Sequence, residues 1–146
     1  MMAIIEAKIK TLVDTMNGTG DIETVASCEG HWWGGRAPYI YFKSSAKVAQ
    51  SIERNIRSFC WSEKSDSNFD WVISAQFNEQ FDLTFQLHSP LLDRLSESTW
   101  KSIWTLGLHR NRIDSDLSTL TKLLNQIELG GGNVPNVIGV SHVHIV

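Results

Sequence analysis

The sequence predicts a single domain of the α/β (α+β) class: a mixed, mostly antiparallel sheet of about five strands with helices on one face. Three observations predict it. Two neighbouring runs alternate apolar and polar residues with period two, several other segments carry apolar stripes at helical spacing, and strand and helix signals are interleaved along the chain. The 146 residues suit one ordinary domain, residues 1–146, and are enough to bury most of the surface of the unfolded chain.

The elements follow in order. Residues 4–16 read as a helix, with Ile5, Ile9, Leu12, Val13 and Met16 on one stripe and Asn17-Gly18 as its stop. Residues 23–28 read as a strand, and Tyr39-Ile40-Tyr41-Phe42 as a second, after Pro38 closes the loop between them. Ser45 caps a helix over 46–59 whose stripe is Val48, Ala49, Ile52, Ile56 and Phe59. After the polar loop 62–68, Trp71, Ile73, Ala75 and Phe77 alternate with Val72, Ser74 and Gln76, and Phe81, Leu83, Phe85 and Leu87 with Asp82, Thr84, Gln86 and His88. Asn78-Glu79 joins the two runs as a hairpin whose turn lacks glycine. Four inward-facing residues, Phe81 to Leu87, follow from that alternation.

Pro90 opens a helical stretch to about 106, with a break near 96–98. Asp114 or Ser115 caps a last helix bearing Leu117, Leu120, Leu124 and Ile127, which Gly130 ends. Residues 130–136 form a flexible glycine-rich connector, and 137–146 a final strand.

Composition narrows the function classes. Hydrophobic residues at 42% and charged residues at 20% exclude a disordered chain, and a net charge of −3 gives no strong pull toward nucleic acid or anionic membrane. The apolar N-terminal run contains Glu6, Lys8 and Lys10, which fits neither a signal peptide nor a spanning segment. The expectation is therefore a cytoplasmic protein with no membrane partner, whose two cysteines, Cys28 and Cys60, are reduced thiols.

The chemistry is densest in Ser27-Cys28-Glu29-Gly30-His31-Trp32-Trp33-Gly34-Gly35-Arg36. A strand that ends at Cys28 and turns at Gly30 delivers this loop to the end of the sheet, where sites on such scaffolds form. Glycine at 30, 34 and 35 permits positive φ and close backbone approach to a ligand. The imidazole of His31 titrates near neutrality, Glu29 accepts a proton, and a Cys28 thiolate is a nucleophile or metal ligand. Arg36 offers a fork to phosphate or carboxylate, and Trp32 and Trp33 offer rings to stack on. A plain structural account competes: a small buried cysteine, a glycine turn and two indoles capping the core. The ligand-binding set expected here is Cys28, Glu29, His31, Trp32, Trp33 and Arg36, with catalytic residues unknown.

An apolar helix, a short glycine-containing link and a strand ending Ser27-Cys28-x-Gly30 resembles the start of the wybutosine-pathway tRNA methyltransferases. That family carries Ser-Cys-Ser-Gly-Arg there, on an α/β fold, and uses S-adenosylmethionine. In this chain Glu29 and His31 replace the serine and arginine. The same SCEGH segment followed by Pro38-Tyr39-Ile40-Tyr41-Phe42 also resembles small proteins of phages and mobile elements. Both likenesses cover only residues 5–43. They imply the fold class, the place of a site and, from the first, a transferase acting on a nucleotide or RNA.

Other constellations are thinner. His142 and His144 point to one face of the terminal strand and, with the C-x-x-H pair Cys28 and His31, have the residue types of a zinc site. No fuller ligand pattern supports them, and the expectation is no metal. His88 reads as a surface histidine, and Arg110 and Arg112 as a solvated helix entrance. A cysteine hydrolase built on Cys28, Glu29 and His31 is disfavoured because near-contiguous strand residues point apart. No nucleotide phosphate-binding glycine motif is present.

Three functions remain, with the cofactor unknown. The first is a binding domain for a small anionic or nucleotide-like ligand at the loop. The second is the nucleotide- or RNA-directed transferase, against which the modest acidity argues. The third is a mobile-element protein that binds and modulates a host protein through exposed tryptophans.

Overall fold

The computed structural model describes residues 5–31, 36–97, 100, 107 and 110–127. Among the described residues the elements run α1 (Ala7–Gly18), β1 (Glu23–Cys28), β2 (Tyr39–Lys43), α2 (Ala46–Cys60), β3 (Val72–Phe77), β4 (Leu83–His88), α3 (Pro90–Leu95) and α4 (Arg110–Gln126). The chain is a mixed α+β single domain. Its four described strands form one sheet in the order β1-β2-β4-β3, every neighbouring pair antiparallel. The strand expected at 137–146 and the connector 130–136 lie outside the described residues. No helix among the described residues is long and apolar enough to cross a membrane.

One face of the sheet carries the core. Direct cross-strand partners share a face, so the pairs Ile40–Leu87, Phe42–Phe85 and Ile73–Leu87 put their side chains on the same side. Against them pack Ile9, Leu12, Val13 and Met16 of α1, Ile52 and Ile56 of α2, Leu92 of α3, and Ile113, Leu117, Leu120 and Leu124 of α4, all in one cluster. The helical stripes read from the sequence are thus the buried faces of α1, α2 and α4.

The described helix ends have local causes. Ser45 caps α2 by accepting from the Val48 N–H at 3.2 Å. Ser89 caps α3 likewise, and α3 ends at Leu95 with Ser96 as its C-cap, at the break expected near 96–98; residues 98, 99 and 101–106 lie outside the described residues. The last helix already includes Arg110, a turn before the expected cap, and Arg110 pairs with Asp114 along it at 2.8 Å. Asp116, only 1% exposed, is buried within α4 and binds the chain entering β3. Its carboxylate accepts from the N–H groups of Asn68 and Phe69, the Asn68 amide and the Trp71 indole, each at 2.9 Å. On the outer edge of β3, Glu53 of α2 accepts the Ile73 N–H at 2.5 Å, which closes part of an otherwise unpaired strand edge.

The hairpin corrects one expectation. Phe77 pairs with Leu83, so the loop spans 78–82 rather than the two residues Asn78-Glu79. Asn78 holds that loop through its side-chain oxygen, which accepts from the N–H groups of Gln80 and Asp82. Phe81 takes the left-handed position (φ 63°) that glycine would ordinarily fill. Of the four residues expected to face inward, only Phe85 and Leu87 are buried. Leu83 and Phe81 are 42% and 83% exposed, and Thr84 is buried with its hydroxyl donating to the Gln76 carbonyl.

Candidate functional site

The loop after β1 is locked to α1 by an exchange of carboxylates. Glu6, the N-cap residue of α1, makes no cap bond to its own helix. Its Oε2 instead accepts the Glu29 N–H at 2.6 Å, and its Oε1 meets His31 Nε2. In return Glu29 Oε2 accepts the N–H of Lys8, in the first turn of α1, at 2.9 Å. Glu29 is thereby a helix cap supplied from another segment, where a negative charge also suits the positive end of the helix dipole. Gly30 makes the geometry possible. It sits at φ 91°, and a Cβ there would lie 2.9 Å from Pro38 Cδ. An antiparallel bridge, His31 N–H to Arg36 carbonyl at 2.8 Å and Arg36 N–H to His31 carbonyl at 3.2 Å, pins the two ends of the loop together.

Arg110 secures the same turn from the opposite side. Its Nη1 donates to the carbonyls of Glu29 at 2.5 Å and Gly30 at 2.9 Å, while Nε donates to Asp114. Asp114 also pairs with Lys8 at 3.8 Å. Arg110 is therefore not part of a solvated helix entrance: its side chain is 13% exposed and joins α4 to the loop. Its Nη2 is buried with no hydrogen-bond partner among the described residues.

Electrostatics follow from this packing. Burial pushes the Glu6 carboxyl up, but the Glu29 N–H and the His31 imidazole outweigh it and hold Glu6 below the usual glutamate value. Burial pushes the Cys28 thiol up, and the Glu6 carboxylate adds to that; the Gly30 N–H, 3.4 Å from Sγ, and the Arg36 charge offset only part. A thiol held protonated is a poor nucleophile. Tyr39, the direct partner of Cys28, is also raised, first by burial and then by the thiol beside it.

The structure brings Cys28, Glu29 and His31 together and ties each to internal partners. Cys28 is 4% exposed and, like Cys60, is a free thiol. Arg36 differs: it is exposed, and its side chain has no hydrogen-bond or ion-pair partner among the described residues. Trp32, Trp33, Gly34 and Gly35 lie outside the described residues, as do His142 and His144. Glu6, Cys28 and His31 place one possible ligand atom each within 4.8 Å of one another, a donor set that suits a zinc-like cation once the thiol is deprotonated. Sequence reasoning overlooked Glu6, which fell inside the helix read over 4–16 and counted only as a charge within its apolar run. It also misread Arg110, for which a charged residue at the first position of a helix gave the only signal.

No protein-family model matches the chain, and comparison with curated proteins and with solved structures finds no match.

Proposed function

We propose that this domain binds a small anionic or nucleotide-like ligand at the loop after β1, with Arg36 as the principal contact and Arg110 behind it. One observation carries the reading: two guanidinium groups, Arg36 of the loop and Arg110 reaching it from α4, have donors that are not all used. Arg36 is exposed and unpaired among the described residues, and Arg110 holds a buried Nη2 with no acceptor there. A buried donor without an acceptor costs about 1–3 kcal/mol, so an incoming carboxylate, phosphate or water that reaches it is favoured. Cys28, Glu29 and His31 then act as the frame that fixes the backbone.

Thermal unfolding with inorganic phosphate, adenosine monophosphate and S-adenosylmethionine tests this, the last because of the methyltransferase likeness of residues 5–43. At least one anionic compound should raise the melting temperature of the wild type. Arg36→Ala should abolish that rise, weakening binding by about 1–3 kcal/mol while leaving the unliganded melting temperature unchanged. No shift with any of the three at millimolar concentration would refute the reading.

A protein-interaction role has an observation of its own. Trp61, Trp100 and Phe81 are 75%, 76% and 83% exposed, although Arg57 lies over the Trp61 ring at 5.4 Å. If the ligand panel fails on folded protein, this second reading leads.

A further inference from the structure

On the sheet face opposite the core, cross-strand register sets out two rows of mostly polar side chains. Cys28, Tyr39, His88 and Val72 are successive direct partners across the four strands, and Tyr41, Gln86 and Ser74 form the next row. Two hydrogen bonds link Ser74 and His88 of these rows to Asp93 of α3. His88 Nε2 lies 2.6 Å from Ser74 Oγ, and His88 Nδ1 lies 2.6 Å from Asp93 Oδ2. Because a carboxylate only accepts, Nδ1 carries the proton toward Asp93. That leaves the Nε2 lone pair to accept from the serine hydroxyl.

The fold holds this chain of contacts from three elements. Ser74 and His88 are diagonal neighbours on β3 and β4, where side chains on one face are within reach. Asp93 is set in the first turn of α3, whose start is fixed twice over. Ser89 accepts the Leu92 N–H and donates to Asp70 at 2.7 Å, and Asp70 accepts the Leu91 N–H at 3.1 Å. His88 is not the surface histidine expected from sequence; its side chain is 14% exposed and both ring nitrogens are engaged. Beside Ser74, Gln86 is half-buried, and its amide has no hydrogen-bond partner among the described residues. Such an amide is a ready donor for a developing negative charge.

We propose that Ser74, His88 and Asp93 form a nucleophile–base–orienter triad, and that this chain hydrolyses carboxylic esters through an acyl-serine. The nucleophile meets its base, and the base meets its orienting carboxylate, each within hydrogen-bond reach and through the correct ring nitrogen. Ser74 Oγ bonds to the ester carbonyl carbon as its proton passes to His88 Nε2. Gln86 donates to the carbonyl oxygen, which carries the negative charge of the tetrahedral intermediate. The C–O bond to the alcohol breaks, and the departing oxygen takes the proton from His88. Water then attacks the acyl-serine, gives one proton to His88 and releases the carboxylic acid, while that proton returns to Ser74. The sum is ester plus water to acid plus alcohol, with no other reactant. The inference does not rest on the anion site.

A fluorophosphonate probe and p-nitrophenyl acetate test it on the full chain, with circular dichroism confirming that every protein used is folded. The wild type should be labelled on the peptide containing Ser74 and should hydrolyse the ester. Ser74→Ala should lose both. Asp93→Asn, which keeps the size of the side chain and disturbs folding least, should slow hydrolysis by about a thousandfold or more, because the amide carries no charge and its NH₂ can donate to Nδ1, which puts the proton on Nε2, the wrong tautomer for a base. A merely structural hydrogen-bond chain predicts otherwise: folded wild type unlabelled at Ser74, or hydrolysis undiminished in Ser74→Ala. Either result overturns the proposal.

Discussion

Asp116 offers the sharpest test of how the helices are held to the sheet. Its carboxylate accepts four hydrogen bonds: Asn68 N–H and amide on Oδ1, Phe69 N–H and the Trp71 indole on Oδ2. Asp116→Ala removes all four acceptors at once. The Trp71 indole is buried, so its orphaned N–H should cost about 1–3 kcal/mol. The other three donors are only partly buried and recover some bonding from water, adding roughly 0.5–1 kcal/mol each. The expected total is about 2.5–6 kcal/mol, a fall in melting temperature of roughly 8–20 °C for a chain of this size. Asp116→Asn keeps one oxygen but turns an NH₂ toward two donors, and should fall between wild type and alanine. Urea and thermal unfolding followed by circular dichroism measure both. A loss below about 1 kcal/mol in Asp116→Ala would show that the bonds are replaced by water at no net cost, contrary to the burial of the site. The result bears on function, because α4 also carries Arg110 to the loop.

Other expectations are more local. Glu29→Ala removes the cap that α1 receives from the loop and should cost about 0.5–2 kcal/mol, with Glu29→Gln recovering part of it; equal stability of all three proteins would dismiss the capping role. The Glu6 carboxyl is held below its usual value, so its contribution is complete above the ordinary glutamate range and is lost as pH falls through the lower folded value. Unfolding free energy measured against pH should therefore drop more steeply on the acid side in wild type than in Glu6→Gln, and parallel curves would contradict this. Leu87→Ala, at a site 1% exposed, should cost about 2–5 kcal/mol, whereas Leu83→Ala, at a site 42% exposed, should cost about 1 kcal/mol or less; reversed values in denaturant melts would refute the hairpin register. A disulfide-exchange reagent should modify half-buried Cys60 first and reach Cys28 only on unfolding, and Cys28 reacting as fast in Cys60→Ser would disprove its burial.

The sequence by itself determined the local elements. The stripes Ile9-Leu12-Val13-Met16 and Leu117-Leu120-Leu124 can be buried together only on helices, and Ser45 fixes the start of α2 through a bond to its own third neighbour. The ETVASC strand and the YIYF strand were legible for the same reason: side-chain shape and period are properties of a few consecutive residues. The loop at Cys28 was legible as a place, and Gly30 as its turn, because a positive φ is a demand on one residue.

Tertiary structure alone decided what those residues do. Glu29 looked like a ligand contact and is a helix cap, because α1 brings the Lys8 N–H to it from 21 positions away. Arg110 looked solvated and is a clamp on carbonyls 80 and 81 positions distant. Ser74, His88 and Asp93 carry no spacing that marks them, since strand register and the start of α3 bring them together. Phe81 and Leu83 followed the alternation and yet are exposed, because the five-residue loop at 78–82 carries the hairpin tip beyond the helices that cover Phe85 and Leu87. Period and propensity act over a few residues, whereas burial and hydrogen-bond partners depend on which distant segment arrives, and only the packed fold specifies that.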